Sequence, residues 1–232
     1  MIENEMTLAE IVAANQKAAT VLARHRLDFC CRGEQTLGEA CALAGLDPAA
    51  IGEELVREGA AEPARVGWTR RPVGELIDFI ETRYHEALRR DLPVLVELAR
   101  RVERVHAGKA ACPRGLADHL EHVHAAVDDH LAKEERVLFP LIRAGRGEFA
   151  LMPIKVMTEE HDDHGKNLRR TRELAGDFAL PEEACASWRE LYHGLARLES
   201  ELMEHIHLEN HVLFPRAMEG AESARPSVST AR

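Results

Sequence analysis

The chain has 232 residues, 45% of them hydrophobic and 30% charged, a balance typical of a globular protein. Its formal net charge of −10 at pH 7 argues against nucleic acid or an anionic membrane surface as a partner. Because no apolar run approaches ~20 residues, the N-terminus is acidic and the five cysteines are odd in number, we expect a cytoplasmic protein rather than a membrane or disulfide-stabilised one.

The first 60 residues predict a small domain of three short helices. Helical spacing of apolar residues marks three stretches: 7–25, 36–44 and 47–58. Thr7 can cap the first helix and Asp47 the third. The segment Asp28-Phe29-Cys30-Cys31-Arg32-Gly33 interrupts the pattern. Since about fifty residues enclose little core, we expect this domain to dock on the rest of the chain or on a second copy, as in a homodimer.

Residues 61–71 predict a linker, and residues 72–218 predict four long helices without a strand. We expect helix A over 72–106, helix B over 114–143, helix C over 151–175 and helix D over 181–218. Short connections between long helices favour an up-and-down four-helix bundle, so the predicted fold class is all-α. Residues 219–232 have the composition of a disordered tail.

One pattern occurs twice, once in helix B and once in helix D. It reads His-x-x-x-Glu-x-x-Val-Leu-Phe-Pro and begins at His130 and at His205. Residues four apart share one face of a helix, so Glu134 and Glu209 point the same way as their histidines. The valine seven residues after each histidine returns to that face, which places the pair on the buried side. Burial of an unpaired carboxylate costs on the order of several kcal/mol. Either a bound metal or an ion pair with protonated histidine must compensate it.

Helices A and C offer further nitrogen ligands. His85 and His161 lie on the apolar stripes of these helices. With the repeated pairs they provide four imidazoles and two carboxylates, enough to hold two metal ions with each carboxylate bridging. The absence of a thiolate from this set disfavours a structural zinc site, and the mixture of nitrogen and oxygen donors favours iron, followed by manganese.

Several neighbouring residues are candidates for supporting the ligands. Glu160 precedes His161 directly, and His164 follows it by three residues. His164 is close enough in angle to ligate a metal; otherwise we expect it behind the ligands or beside a channel. Glu81 and Glu201 each lie one turn before a ligand histidine and are candidates for orienting it, the alternative being a solvated charge.

These residues resemble those of the hemerythrin-like proteins and, more narrowly, the iron–sulfur cluster repair di-iron proteins, the RIC family of the YtfE/ScdA type. The resemblance covers nearly the whole chain, including the 28–33 segment and both His-x-x-x-Glu pairs. It implies two iron ions with an oxo or hydroxo bridge, and repair of iron–sulfur clusters damaged by oxidative or nitrosative stress through a supply of iron. The resemblance also implies that four histidines are terminal ligands, namely His85, His130, His161 and His205. It implies that Glu134 and Glu209 bridge the two ions.

One departure from the oxygen-carrying hemerythrins concerns helix C. Those proteins carry a second histidine one turn after the helix C ligand, where this chain has Gly165. Unless His164 substitutes, one iron keeps an open position, which suits cluster repair or the binding and reduction of nitric oxide. The implied partners are damaged iron–sulfur proteins, with nitric oxide or oxygen as small ligands. The alternatives are a carrier or sensor of oxygen or nitric oxide, and a di-iron oxidase.

Cys30 and Cys31 are adjacent, and we expect the neighbouring Arg32 to favour a thiolate. The resemblance places their segment where it could act in iron transfer or redox exchange. The alternative is two small residues at a helix end. We hypothesise that one of these cysteines receives iron or electrons from the bundle.

Overall fold

The computed structural model describes residues 2–15, 17–59 and 67–223, with side chains up to residue 219. The N-terminal part contains four short helices: α1 (Leu8–Ala14), α2 (Lys17–Arg24), α3 (Leu37–Ala44) and α4 (Pro48–Gly59). Thr7 and Thr36 each form a capping box at the start of a helix, as predicted for Thr7. The predicted first helix is broken in two at Asn15, whose side chain accepts a hydrogen bond from the Lys17 amide.

The second part is a bundle of four long helices, three of which are interrupted by a single π-helical turn. Helix A comprises α5 (Val73–Ile80), a π-helical turn (Glu81–His85) and α6 (Glu86–Val105). Helix B comprises α7 (Leu116–Lys133), a π-helical turn (Glu134–Leu138) and α8 (Phe139–Arg143). Helix C is α9 (Leu151–Leu174). Helix D comprises α10 (Ala186–Leu208), a π-helical turn (Glu209–Leu213) and α11 (Phe214–Ser223).

The all-α prediction is confirmed. Over the described ranges the only β-type pairing is an isolated bridge between Thr7 and Thr36. None of the helices described here combines the length and the apolar character needed to cross a bilayer. Helix D continues to Ser223, so residues 219–223 are helical and not part of a disordered tail. Residues 224–232, and 61–66 of the predicted linker, lie outside the described residues.

The π-helical turns lie next to predicted ligands. Glu134 and Glu209 begin the turns in helices B and D, and His85 ends the turn in helix A. Pro140 closely follows the turn in helix B, and Pro215 closely follows the turn in helix D. A proline has no N–H to donate to the carbonyl four residues earlier, and its ring clashes with that carbonyl. A widened helical turn accommodates both effects. Such single π-helical turns are frequent at functional sites.

Two apolar clusters fill the bundle, and the predicted ligands lie between them. On helix A the larger cluster begins at Leu88 and the smaller one ends at Tyr84, with His85 in the interval. On helix C the smaller cluster ends at Met157 and the larger one begins at Leu168, with His161 in the interval. The ligand layer is therefore enclosed by apolar side chains on both sides.

The N-terminal domain docks on the bundle of the same chain, one of the two expected arrangements. Phe29 is fully buried, and its ring lies 5.8 Å from that of His207 in an edge-on contact. Asn210 Nδ2 donates to the Cys30 carbonyl at 3.0 Å. Gly33 approaches helix D so closely that a Cβ there would lie 2.5 Å from His211 Nε2. This docking places the Cys30-Cys31 segment beside the ligand layer.

Candidate metal centre

The structure brings the six predicted ligands together in the middle of the bundle, where all of them are buried. Their ligand atoms form two groups of four, within each of which all atoms lie within 4.8 Å of one another. The first group is His85, Glu134, His205 and Glu209, and the second is His130, Glu134, His161 and Glu209. Both carboxylates therefore belong to both groups.

Each shared carboxylate turns one oxygen to each group. Glu134 places Oε2 3.4 Å from His85 Nε2 and Oε1 3.4 Å from His130 Nε2. Glu209 places Oε1 3.0 Å from Nε2 of the histidine one turn before it, and Oε2 3.1 Å from His161 Nε2. Two adjacent cations bridged by two carboxylates need this division of the oxygens.

Buried polar atoms in this layer lack partners. Both oxygens of Glu134 and Oε2 of Glu209 are buried without a hydrogen bond. Within each group the Nε2 atoms of two histidines face each other at 3.2 Å. Burial lowers the pKa of His130, but Glu134, Glu160 and Glu209 together raise it to about 10, so an ion pair with His130 partly compensates the charge of Glu134. Cations between the facing donors would satisfy all of these atoms, so the donor set fits a metal centre.

Three of the four imidazoles are fixed from behind through Nδ1. The three contacts, at 2.8, 2.9 and 2.8 Å, are His85 to Glu135, His130 to Glu160 and His161 to Asn210. Arg89 and Lys133 hold Glu135 and Glu160 in turn. Because these acceptors require a proton on Nδ1, Nε2 is the nitrogen of each ring that is left to bind a metal in the centre.

The sequence predicted part of this supporting set. Glu160, one of the candidates, lies behind His130. Glu135 and Asn210 were missed, although their position directly after each shared carboxylate is a signal that the repeat contains. The sequence leaves two interpretations open for Glu81 and Glu201, support of a ligand histidine or a solvated charge. Their ion pairs with Arg143 and Arg83 favour the second.

His164 lies next to the centre but outside both groups. It is buried, neither of its ring nitrogens has a hydrogen-bond partner, and its ring lies 4.8 Å from the His130 ring. Burial, followed by the neighbouring histidines, lowers the pKa of His164 to about 3. A neutral imidazole with free nitrogens therefore borders the second group.

The Cys30-Cys31 segment lies against helix C beside the second group. Cys31 Sγ donates to the His161 carbonyl at 3.4 Å, and a Cβ at position 165 would lie 3.4 Å from the same sulfur. Gly165 thus leaves room for Cys31. Asp28, Cys30 and Cys31 form a third group whose ligand atoms lie within 4.8 Å of one another.

The expectation that Arg32 favours a thiolate fails for Cys30. The hydrogen bond with Cys31 raises the pKa of Cys30 well above its usual range, and burial and Asp28 add to this effect. Arg32 is exposed and does not outweigh these causes. The Cys30 thiol therefore keeps its proton in this arrangement.

Two family models match the chain. The model described as the hemerythrin HHE cation binding domain matches residues 76–217, and the ScdA_N model, described as a domain of unknown function, matches residues 4–58. Together with the buried His/Glu groups, the fold defines the class of the protein: a hemerythrin-like helical bundle with a cation-binding site, preceded by an ScdA_N domain.

Relatives match over nearly their whole length. A protein of Musicola paradisiaca (strain Ech703) is 43% identical over 216 residues, 93% of this chain and 97% of the relative. Proteins of Enterobacter sp. (strain 638) and Escherichia coli (strain SMS-3-5) are 42% and 40% identical over 220 residues, 95% of this chain and 100% of each relative. All three are named iron-sulfur cluster repair protein YtfE. The chain belongs to the family of YtfE-type iron–sulfur cluster repair proteins, as the 28–33 segment and the repeated pairs suggested.

Proposed function

We propose that the six ligands hold two iron ions, with Glu134, Glu209 and an oxo or hydroxo group as bridges. We propose further that the protein supplies this iron to iron–sulfur clusters damaged by oxidative or nitrosative stress. The observation that carries the proposal is the sharing of both carboxylates between two pairs of facing histidines. A single metal ion would not require four imidazoles in two separate pairs. The name of the relatives supports the repair role.

Iron would supply redox chemistry here, and its reduction would weaken its hold on hard oxygen donors. The protein's part is to hold the donors in place and to limit their number. Each group has two nitrogen and two oxygen donors. Gly165 adds no donor on helix C, so this set leaves room for the bridge and for a small ligand such as nitric oxide. Nitric oxide binding and its reduction remain predictions.

The Cys30-Cys31 segment is the proposed exit for iron. Asp28 and the two thiols offer three ligand atoms that suit iron, beside the backbone of His161. Asn210 joins the two sites, because its Oδ1 accepts from His161 Nδ1 and its Nδ2 donates to the Cys30 carbonyl. A displacement of His161 would therefore alter the hydrogen bond between Asn210 and the Cys30-Cys31 segment.

Reactivation of a damaged cluster tests the repair role. An iron–sulfur dehydratase is inactivated with nitric oxide and mixed with the iron-loaded protein. We expect dehydratase activity to return while the iron-loaded protein loses a matching amount of iron. Reversible nitric oxide binding without iron loss and without reactivation would favour the carrier or sensor instead.

The same assay tests the exit separately. A Cys30→Ala/Cys31→Ala variant, loaded with iron, should reactivate the dehydratase several-fold more slowly than the unchanged protein. Cys112→Ala is the matched control, because Cys112 is a buried thiol that donates a hydrogen bond to the Glu103 carbonyl and lies outside the proposed exit. Equal rates for all three proteins would remove the cysteines from the route and leave the repair role standing.

A further inference from the structure

Cys185 differs from the other cysteines in exposure. Of the five cysteines, Cys185 alone is exposed; Cys30, Cys41 and Cys112 are buried and Cys31 is partly buried. It lies twenty residues before His205 on helix D, which at about 1.5 Å per residue places it roughly 30 Å from the metal centre. Its chemistry is therefore separate from that of the bundle ligands.

A buried histidine faces the Cys185 sulfur. His106 Nε2 lies 3.1 Å from Cys185 Sγ, although only 6% of His106 is exposed. The ring packs on Trp188, with ring centroids 4.8 Å apart, and this contact fixes its orientation. Its Nδ1 has no partner, so within the described residues the thiol is the one polar contact of this imidazole. A thiol paired with an oriented imidazole is the arrangement that activates cysteine nucleophiles.

The backbone around Cys185 adds a second activating feature. Cys185 is the N-cap residue of the 23-residue helix α10, whose first turn contains no acidic residue. The unpaired N–H groups of a helix N-terminus favour negative charge, and cysteines at such positions are more reactive. Arg189 Nε donates to the Ala184 carbonyl at 3.2 Å, which brings a cation beside the same turn.

The buried thiols lack these features. Burial raises the pKa of Cys41 and of Cys112, and the hydrogen bond with Cys31 raises that of Cys30. A reagent in solution should therefore meet Cys185 first. A groove of about 470 Å³ lies next to this turn and is lined by Ala186 and Arg189, although not by Cys185 itself.

We propose that Cys185 and His106 form a thiol-modification site that exchanges with small peptide disulfides. His106 Nε2 accepts the thiol proton while Cys185 Sγ attacks one sulfur of the disulfide. The S–S bond of the reagent breaks, and a new S–S bond joins Cys185 to one half of it. The other half leaves as a thiolate and takes up the proton from His106. Cys185 is oxidised and the leaving half is reduced, so no further reactant is needed.

Oxidised glutathione is the probe, and peptide mapping by mass spectrometry is the readout on the purified full chain. We expect the first mixed disulfide on Cys185, formed roughly tenfold faster than on the same residue in the urea-unfolded chain, where the helix is lost and His106 is no longer held beside the thiol. Modification of Cys31 first, or equal rates at Cys185 in the folded and unfolded chain, would overturn the proposal.

Variants separate activation from simple exposure. His106→Gln should slow the reaction at Cys185 roughly tenfold. His122→Gln is the control, because His122 is an exposed histidine on helix B that does not line the groove, and it should leave the rate unchanged. Equal rates in both variants would mean that His106 does not activate the thiol. If His106→Gln fails to fold, the comparison of folded and unfolded native sequence decides alone.

Discussion

Glu134 allows the metal proposal to be tested through stability. Its carboxylate is fully buried, forms no hydrogen bond, and lies 3.4 Å from an imidazole of each group, so Glu134→Gln removes the charged bridge that both proposed ions would share. At free iron a thousandfold above its dissociation constant, binding stabilises the native protein by about 4 kcal/mol. For a chain of this size, this stabilisation corresponds to a rise of about 8–16 °C in melting temperature.

A hundredfold loss of affinity in Glu134→Gln would reduce this stabilisation to about 1.4 kcal/mol, or about 3–6 °C. The metal-free variant should melt below the metal-free native protein, because Glu134→Gln breaks the ion pair with His130. The rise in melting temperature on iron loading should nevertheless be smaller in the variant than in the native protein. Melting curves of iron-loaded and chelator-treated protein, followed by circular dichroism, measure both differences.

Glu199→Gln provides the control for this experiment. Glu199 is a buried carboxylate of helix D whose two oxygens accept from Arg172 at 2.6 and 2.5 Å. Its loss should lower the melting temperature of the loaded and metal-free proteins equally. If Glu134→Gln behaves in the same way, Glu134 is the partner of an internal ion pair and the reasoning about the metal fails.

Three further changes test how the N-terminal domain meets the bundle. Gly165→His should displace Cys31 and make it react faster with a maleimide, whereas Gly165→Ala should not, because its Cβ fits at 3.4 Å from the sulfur; equal labelling of the two variants would disprove the close fit. Phe29→Ala should lower the free energy of unfolding in urea by about 3–5 kcal/mol, since Phe29 is fully buried, and a loss under about 1 kcal/mol would contradict the docking. Asn210→Asp retains an acceptor for the ligand but loses the donor to Cys30, so hydrogen exchange in the 28–33 segment should speed up while iron content stays the same.

The bundle and the convergence of the six proposed ligands could be predicted because their signals are local. His130 and Glu134 are four residues apart on an apolar stripe, and that spacing alone puts both side chains on one inward face. The break at Asn15 was less visible, since the apolar spacing continues past it. There the Asn15 side chain competes with the helix for the Lys17 amide.

The supporting contacts depend on tertiary structure and could not be predicted in the same way. Glu135 points to a ligand on helix A, and the π-helical turn that starts one residue earlier changes the direction of the side chains after it. The place of Cys31 against Gly165 depends on how a distant segment docks. Periodicity within one helix contains no information about such contacts.

Metal content, measured together with Mössbauer spectroscopy on the purified protein, addresses the proposed centre most directly. Two groups that share both carboxylates predict two iron ions per chain with the magnetic coupling of a bridged pair. One ion per chain, zinc in place of iron, or two uncoupled irons would contradict the proposed bridged centre.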